Sequence, residues 1–207
     1  MKVLLINGSP RVEGNTYLAL CEIANRLKKN GIESEIFNVG KKANGGCRAC
    51  GACASLGRCA YGEDCVNELC EKAGACDGFI FGTPVHYASP SADIIGVLDR
   101  AFYSGGKNFA YKPAAAVAVA RRGGASASLD VLNKYITYNC MPLVSSTYWN
   151  IVHGRKPGES PLDEEGMQTM RNLADNMAWL LKSIEAGKKN GVEQPTPQKE
   201  FMTSFIR

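Results

Sequence analysis

Four cysteines lie within thirteen consecutive residues of this chain. Cys47, Cys50 and Cys53 follow one another at intervals of three, and Cys59 comes six positions later. Thiolates are ligands for soft metals, and four of them match the ligand count of a [4Fe–4S] cluster. Glycines before, within and after this run allow the backbone to wrap around such a group. The spacing therefore favours clustered thiolate ligation.

Two other interpretations of these cysteines stay open. Tetrahedral zinc also accepts four thiolates, although zinc ribbons usually pair two Cys-x-x-Cys units separated by a longer run. Unligated thiols or a redox pair are the third possibility. The other five cysteines stand apart from this run, and we expect them to be small buried apolar residues: Cys21, Cys65, Cys70, Cys76 and Cys140.

A second group of polar residues follows the first apolar run. Gly8 to Thr16 connect the run Val3-Leu4-Leu5-Ile6 to a segment with helical periodicity. The start of a helix offers unpaired amides and a partial positive charge, which suit a phosphate. The Gly-Lys-Ser/Thr ending of an NTPase loop and the dinucleotide fingerprint Gly-x-Gly-x-x-Gly are both missing. A simple turn with a helix cap is the alternative interpretation.

The elements that position these residues alternate between strands and helices. Short continuous apolar runs predict strands over 3–6, 34–39, 78–82, 113–120 and 142–146. Spacing of three and four predicts helices over 15–29, 64–73, 91–103, 126–138 and 163–185. Strict alternation predicts a parallel sheet between two helical layers. We therefore predict an α/β, flavodoxin-like three-layer sandwich with a five-stranded parallel sheet in the order 2-1-3-4-5.

The domain prediction follows from the same pattern. Residues 1–187 form one flavodoxin-like domain with a cysteine-rich loop inserted at 44–62, and 188–207 form a C-terminal tail. Ligands of such sheets bind beyond the carboxyl ends of the strands, where the strand order reverses. The loops after Ile6, Phe81 and Ala120 are therefore the expected binding region.

Several of these segments resemble one known family. The loop Gly-Ser-Pro-Arg-x-x-Gly-Asn-Thr after the first strand is similar to the flavin phosphate loop of the NADPH-dependent FMN reductases. Residues 82–92 resemble the second flavin loop of that family, and Leu98-Asp99-Arg100 match its following helix. The cysteine spacing resembles the iron–sulfur flavoprotein branch. The resemblance covers about residues 1–185.

The resemblance implies a set of site residues. Ser9, Arg11, Asn15 and Thr16 would hold the FMN phosphate. The isoalloxazine edge would be bound along Pro84, Val85, His86 and Tyr87, and the third loop would add Arg121, Gly123 and Gly124. A proton-transfer role for His86 and a solvated or intersubunit pair for Arg121 and Arg122 are alternatives. The metal ligands would be Cys47, Cys50, Cys53 and Cys59.

Composition narrows the class of function. The formal net charge is +4, from 24 basic and 20 acidic residues, and no run of Lys or Arg exceeds two, so no nucleic-acid partner is expected. The first residues lack the long apolar region of a signal peptide, and no segment approaches the roughly 20 apolar residues of a membrane span. We therefore expect a cytoplasmic protein without a membrane partner.

Three functions are compatible with these residues. The first is an FMN-dependent oxidoreductase that takes electrons from NAD(P)H and passes them to a flavin, quinone or other small acceptor, with or without a [4Fe–4S] cluster. The second is a single-electron transfer flavoprotein that serves a ferredoxin-like partner. The third keeps the fold and uses the cysteine loop as a zinc-bound interaction surface. The family resemblance also implies a homodimer or homotetramer.

Overall fold

The computed structural model describes residues 1–39 and 45–205. In these ranges the strands are β1 Lys2–Asn7, β2 Glu33–Asn38, β3 Gly78–His86, β4 Ser89–Pro90, β5 Ala114–Ala120 and β6 Ile151–His153. The helices are α1 Asn15–Lys29, α2 Cys53–Leu56, α3 Val66–Gly74, α4 Ala92–Gly105, α5 Ala125–Tyr138 and α6 Glu164–Lys189. Single 3₁₀ turns lie at Gly106–Asn108 and Ser160–Leu162.

The sheet is parallel and has the order β2-β1-β3-β5-β6, and β4 pairs antiparallel with the end of β3. The predicted flavodoxin-like order is thereby confirmed, since β4 is a two-residue strand beside the main sheet. Successive side chains of a strand point to opposite faces. In β1, Leu4 and Ile6 pack with α3, α4 and α5, whereas Val3 and Leu5 pack with α1 and α6. Both faces of the sheet are therefore covered, which explains why the central strands are continuously apolar.

The fifth parallel strand is not where the sequence predicted it. The segment 142–146 contributes only an isolated bridge between Leu143 and Ala114, and the strand that pairs with the end of β5 is β6. Pro142 lacks an amide hydrogen for a continuous ladder, and Leu143 is exposed, so the segment does not bury itself as a strand. This shift places His153 at the end of the sheet and Gly154 directly beyond it.

Strand β3 is longer than predicted. The loop that was expected to open at Thr83-Pro84 begins only after His86, because Thr83 and Pro84 still pair with Ala118 and Val119 of β5. Of the predicted cysteine-rich loop, residues 45–62 form an irregular segment with one short helix, α2, while residue 44 lies outside the described residues. Residues 190–205 contain no helix or strand. None of the helices that the structure describes is both long enough and apolar enough to cross a membrane.

Candidate cofactor site

The loop after β1 is built around the buried side chain of Asn7. Its Oδ1 accepts from the amide of Ser9 at 3.2 Å, and its Nδ2 donates to the carbonyl of Val12 at 3.2 Å and to Asn38 Oδ1 at 2.8 Å. The amide of Gly8 donates to the carbonyl of Gly82 at 2.8 Å, which ties the loop to β3. A buried amide with three partners fixes the loop in one conformation. Sequence reasoning assigned no such role to Asn7.

Helix α1 begins without a side-chain cap. Its N-cap residue is Gly14, and its first turn contains no acidic residue. In contrast, Ser91 caps α4 and Asp163 caps α6, each by accepting from an amide of the first turn. Uncapped first-turn amides and the positive end of the helix dipole favour an anion. The start of α1 therefore has the local chemistry of a phosphate site.

A cavity of about 180 Å³ opens at this helix start. It is lined by the loop after β1, the last residues of β3, the end of β5 with the loop that follows it, and the segment after β6. The carboxyl ends of these strands meet here, as the strand order requires. The lining residues are Ser9, Arg11, Gly14, Asn15, Thr16, Pro84, Val85, His86, Val119, Arg121, Gly154 and Arg155. The predicted segments thus meet at one place, and Gly154 and Arg155 join them from the segment after β6.

Three arginines face this cavity. Arg11, Arg121 and Arg155 come from three different loops, and all three residues are exposed. Within the part of the chain that the structure describes, none of these guanidinium groups has a carboxylate oxygen within 4.0 Å, whereas Arg26, Arg100 and Arg171 all form ion pairs. Unpaired cations around a small cavity produce a positive potential that suits an anionic ligand.

The side chain of Asn15 forms hydrogen bonds to the segment after β6. Its Nδ2 donates to the carbonyl of Lys156 at 2.9 Å, and its Oδ1 accepts from the amide of Ser160 at 3.2 Å. Asn15 therefore holds the segment after β6 against α1. Thr16 is buried and lines the cavity, and the Oγ of Ser9 accepts from the amide of Arg11 at 3.1 Å.

Three residues of the predicted set lie outside the cavity lining. Tyr87 and Ala88 form the tip of the β3–β4 hairpin with φ angles of 50° and 59°, and the side chain of Tyr87 is fully exposed. Gly124 has a φ of 90° and packs against this tip, since a Cβ added to it would lie 2.5 Å from the Cα of Ala88. Gly123 has open space around it. Two successive non-glycine residues in the left-handed region are uncommon and are concentrated at functional sites.

The four clustered cysteines have different surroundings. Cys47 and Cys50 are exposed, Cys53 is half-buried at the start of α2, and Cys59 is buried. Asn67 accepts from the amide of Cys59 at 2.9 Å and donates to its carbonyl at 3.1 Å. The fourth cysteine is therefore fixed in place, while the first two lie at the surface.

A buried arginine reaches Cys59 from α4. Arg100 is 4% exposed, and its Nε donates to the Sγ of Cys59 at 3.2 Å. The other guanidinium nitrogens donate to the Asp64 carboxylate and to the carbonyls of Tyr61 and Gly45. One side chain thus holds the cysteine loop at several points.

The cysteine loop has the donor set of a metal or cluster site. All four thiols are free of disulfides, and hydrogen bonds to sulfur are typical of cluster surroundings. Among the residues described, 1–39 and 45–205, no three His, Cys, Asp or Glu side chains are arranged so that they could bind one ion. The donor chemistry fits a cluster, and assembly would need to bring the cysteine sulfurs closer together than they lie in this structure.

The remaining cysteines differ in burial. Burial, followed by the nearby Asp64, raises the pKa of Cys65 to about 11, and its thiol donates to the carbonyl of Val39 at 3.1 Å. Burial also raises the pKa of Cys70 and of Cys76. The expectation of buried thiols was wrong for Cys140, which is exposed at a left-handed position after α5. It was only partly right for Cys21 and Cys65, which are half-buried.

The geometry of the cavity agrees with a comparison to protein families. A family model described as NADPH-dependent FMN reductase matches residues 1–156. The chain belongs to this family. The sequence resemblance of residues 8–16 and 82–92 predicted this family, and the match confirms that prediction. Membership supports a flavin-dependent oxidoreductase that binds FMN.

The alignments of this FMN reductase family member with individual relatives cover almost the whole chain. An iron-sulfur flavoprotein of Methanocaldococcus jannaschii is 33% identical and aligns with 89% of this chain and 100% of its own length. An iron-sulfur flavoprotein of Methanosarcina thermophila is 28% identical over 91% of this chain and 99% of its own. The solved NAD(P)H:quinone oxidoreductase of Methanothermobacter marburgensis superposes with a TM-score of 0.66 at 18% identity, over 86% of this chain and 96% of that one. At that identity the superposition supports the shared fold.

Proposed function

We propose that this protein is an FMN-dependent oxidoreductase that takes electrons from NAD(P)H and passes them to a small acceptor through a [4Fe–4S] cluster. The observation that carries the proposal is the cavity in which the uncapped start of α1 meets three arginines that form no ion pair with any described residue. A phosphate group satisfies both the amides and the charges. Family membership supplies the identity of the phosphate-bearing ligand.

Different residues of the chain would bind the phosphate and the ring of FMN. Backbone amides at the start of α1, with Ser9, Thr16 and Arg11, would hold the phosphate, and the segment Pro84–His86 would lie along the ring. FMN supplies both hydride and single-electron chemistry in one site. A cavity of about 180 Å³ is below the usual size for a whole drug-sized ligand, so it accommodates the phosphate end and leaves ring access to a second substrate.

The cysteine loop supplies the second part of the proposal. Cys47, Cys50, Cys53 and Cys59 would ligate the cluster, and the relatives that align along their whole length are iron-sulfur flavoproteins. The exposed positions of Cys47 and Cys50 would place the cluster near the surface, where electrons can leave.

An anaerobic visible spectrum combined with iron and sulfide analysis tests both parts. We expect about one FMN per chain and four irons per chain, and we expect Cys59→Ser to lose iron while Cys140→Ser retains it. Protein that binds no flavin after addition of FMN would contradict the first part. Zinc without sulfide, or no metal after anaerobic reconstitution, would contradict the second part and would favour the zinc or free-thiol interpretation.

A second candidate is a single-electron transfer flavoprotein that serves a ferredoxin-like partner and uses no nicotinamide. The exposure of Cys47 and Cys50 favours it, because a surface cluster suits exchange with another protein. Stopped-flow reduction separates the two functions. Rapid bleaching of the flavin by NADH or NADPH supports the oxidoreductase, whereas bleaching only by reduced ferredoxin supports the electron-transfer protein.

A further inference from the structure

The segment after β6 is held close to the cofactor cavity. The amide of Gly154 donates to the carbonyl of Ala120 at 3.0 Å, which attaches the segment to the end of β5. A Cβ at position 154 would lie 2.8 Å from Asn15 Nδ2 and 3.0 Å from the Ser160 amide. Only glycine allows this approach. The residue that follows it, Arg155, therefore lines the cavity next to the start of α1.

The same segment has an internal scaffold that does not use the Arg155 side chain. Oε2 of Glu159 accepts from the amides of Arg155 at 2.7 Å and Lys156 at 2.8 Å. These backbone hydrogen bonds, Lys156 first and then Arg155, lower the pKa of Glu159, so the carboxylate stays charged. Asn15 completes the scaffold through Lys156 and Ser160. The backbone of Arg155 is thus fixed while its guanidinium is left for another partner.

The positive charge around the cavity favours binding of an anion. Arg155 stands with Arg11 and Arg121 around a small space, and no described carboxylate lies within ion-pair distance of any of the three. Like charges that share a site repel one another, and a phosphate dianion relieves that repulsion while it forms charge-assisted hydrogen bonds.

We propose that Arg155 is a specificity-determining residue, which binds the 5′-phosphate and makes the site select FMN over riboflavin. Glu159 and Asn15 act as positioning residues for it. This inference rests on the proposed binding of FMN at the start of α1. Arg155 would reach the phosphate from the segment after β6, which is the edge strand opposite β2. This contact lies outside the loop after β1, which the sequence resemblance identified.

Flavin fluorescence titration of the apo-protein with FMN and with riboflavin tests the inference. We expect Arg155→Gln to raise the Kd for FMN by roughly 10- to 100-fold, the range of a charged hydrogen bond, and to change the Kd for riboflavin less than about 3-fold. Arg155→Lys keeps the charge without the planar fork, so it should recover part of the FMN affinity. The matched control is Arg122→Gln, because Arg122 is also exposed but does not line the cavity.

The positioning role has its own measurement. Glu159→Gln should reduce the ratio of FMN to riboflavin affinity by less than Arg155→Gln does, and the effect of Glu159→Gln should vanish in the Arg155→Gln background. A purely structural role would weaken both flavins equally. Circular dichroism verifies that each variant is folded.

The outcomes separate this inference from the proposed function. If wild-type protein selects FMN strongly and Arg155→Gln binds it with unchanged affinity, the inference is wrong and the FMN site stands. Equal loss of FMN and riboflavin affinity in Arg155→Gln also overturns it. If wild-type protein binds neither flavin, the proposed function itself is wrong.

Discussion

At the scale of single residues, the chain separates thiols by burial and hydrogen bonding. Cys47 and Cys50 are exposed, whereas burial, partial for Cys65 and nearly complete for Cys70 and Cys76, raises the pKa of these three thiols. Only the thiolate is nucleophilic, so burial also suppresses reaction. This difference gives each class of cysteine a distinct chemical signature.

Alkylation of the unloaded protein should therefore be selective. At pH 8 we expect iodoacetamide to modify Cys47, Cys50 and Cys140 at least about 10-fold faster than Cys65, as measured by peptide mass spectrometry. Once a cluster is assembled, Cys47 and Cys50 should become protected while Cys140 stays reactive. Equal protection of Cys140 would mean that reagent access, and not ligation, had changed.

Arg100 anchors the cysteine loop through several hydrogen bonds. Removing its charge leaves the Asp64 carboxylate and the carbonyls of Tyr61 and Gly45 without their donor. We expect Arg100→Met to lower the free energy of unfolding by about 3 kcal/mol, as breaking one side of a buried ion pair does. Urea denaturation measures it, with Arg58→Met as the exposed control on the same loop. Equal stability of the two variants would contradict the anchoring role.

At the scale of elements, the edge strand β2 and the β3–β4 hairpin illustrate two kinds of constraint. Glu35 of β2 accepts from Lys2 of β1 and from Lys72 of α3, each at 2.6 Å, so it joins three elements. The hairpin instead depends on close backbone packing against Gly124. The constraint at Glu35 is electrostatic and sensitive to pH, whereas the constraint on the hairpin is steric.

The contribution of Glu35 should disappear in acid. Its hydrogen bonds to Lys2 and then to Lys72 lower its pKa in the folded state, so its stabilisation is present above the unfolded pKa and is lost as pH falls through the folded value. These side chains are about a third exposed, so screening limits the effect. We expect Glu35→Gln to destabilise the protein by about 0.5–1 kcal/mol at pH 7 and by nothing once both proteins are measured well below the folded pKa. Urea titrations check this, with Glu33→Gln as the exposed control.

Two adjacent glycines provide a matched test of the hairpin. Gly124→Ala adds a Cβ 2.5 Å from the Cα of Ala88 at a φ of 90°, whereas Gly123→Ala meets nothing within 4 Å. We expect Gly124→Ala to cost about 1–3 kcal/mol of stability and to weaken FMN binding, and Gly123→Ala to do neither. Thermal unfolding and flavin titration are the measurements. Identical behaviour of the two variants would show that the packing against Ala88 does not hold the hairpin.

At the scale of the whole molecule, the C-terminal tail at 191–205 is exposed along its described length. Phe201, Met202 and Phe205 are almost fully exposed, beyond the end of α6 at Lys189. Contiguous groups of exposed apolar side chains mark sites of protein–protein contact. We propose that the tail contributes to a homodimer or homotetramer.

Truncation after Asn190 tests this use of the tail. We expect the monomer fold to persist, because residues 191–205 are exposed and contain no helix or strand, and we expect the oligomer to weaken. Light scattering coupled to size exclusion measures the mass, and circular dichroism measures the fold. The full-length protein running as a monomer, or the truncated one keeping the same oligomer, would contradict the proposal.

The sequence by itself determined the alternation of strands and helices, the order of the sheet and the family to which its loop motifs belong. These features depend on local periodicity and on short motifs, which are written in consecutive residues. The prediction of the fifth strand at 142–146 was wrong: that run meets β5 only at Ala114, whereas β6 pairs with Ala118 to Ala120, and partner choice across the sheet is not a local property.

Only the tertiary structure decided which distant residues meet. It brought Arg155 to the start of α1, turned Asn15 toward the segment after β6, placed Tyr87 at an exposed hairpin tip and set Arg100 against Cys59. Each of these contacts joins residues more than thirty positions apart or depends on a backbone conformation that packing imposes. Such contacts are settled by the folding of the whole sheet and its helices, so no window of the sequence contains them.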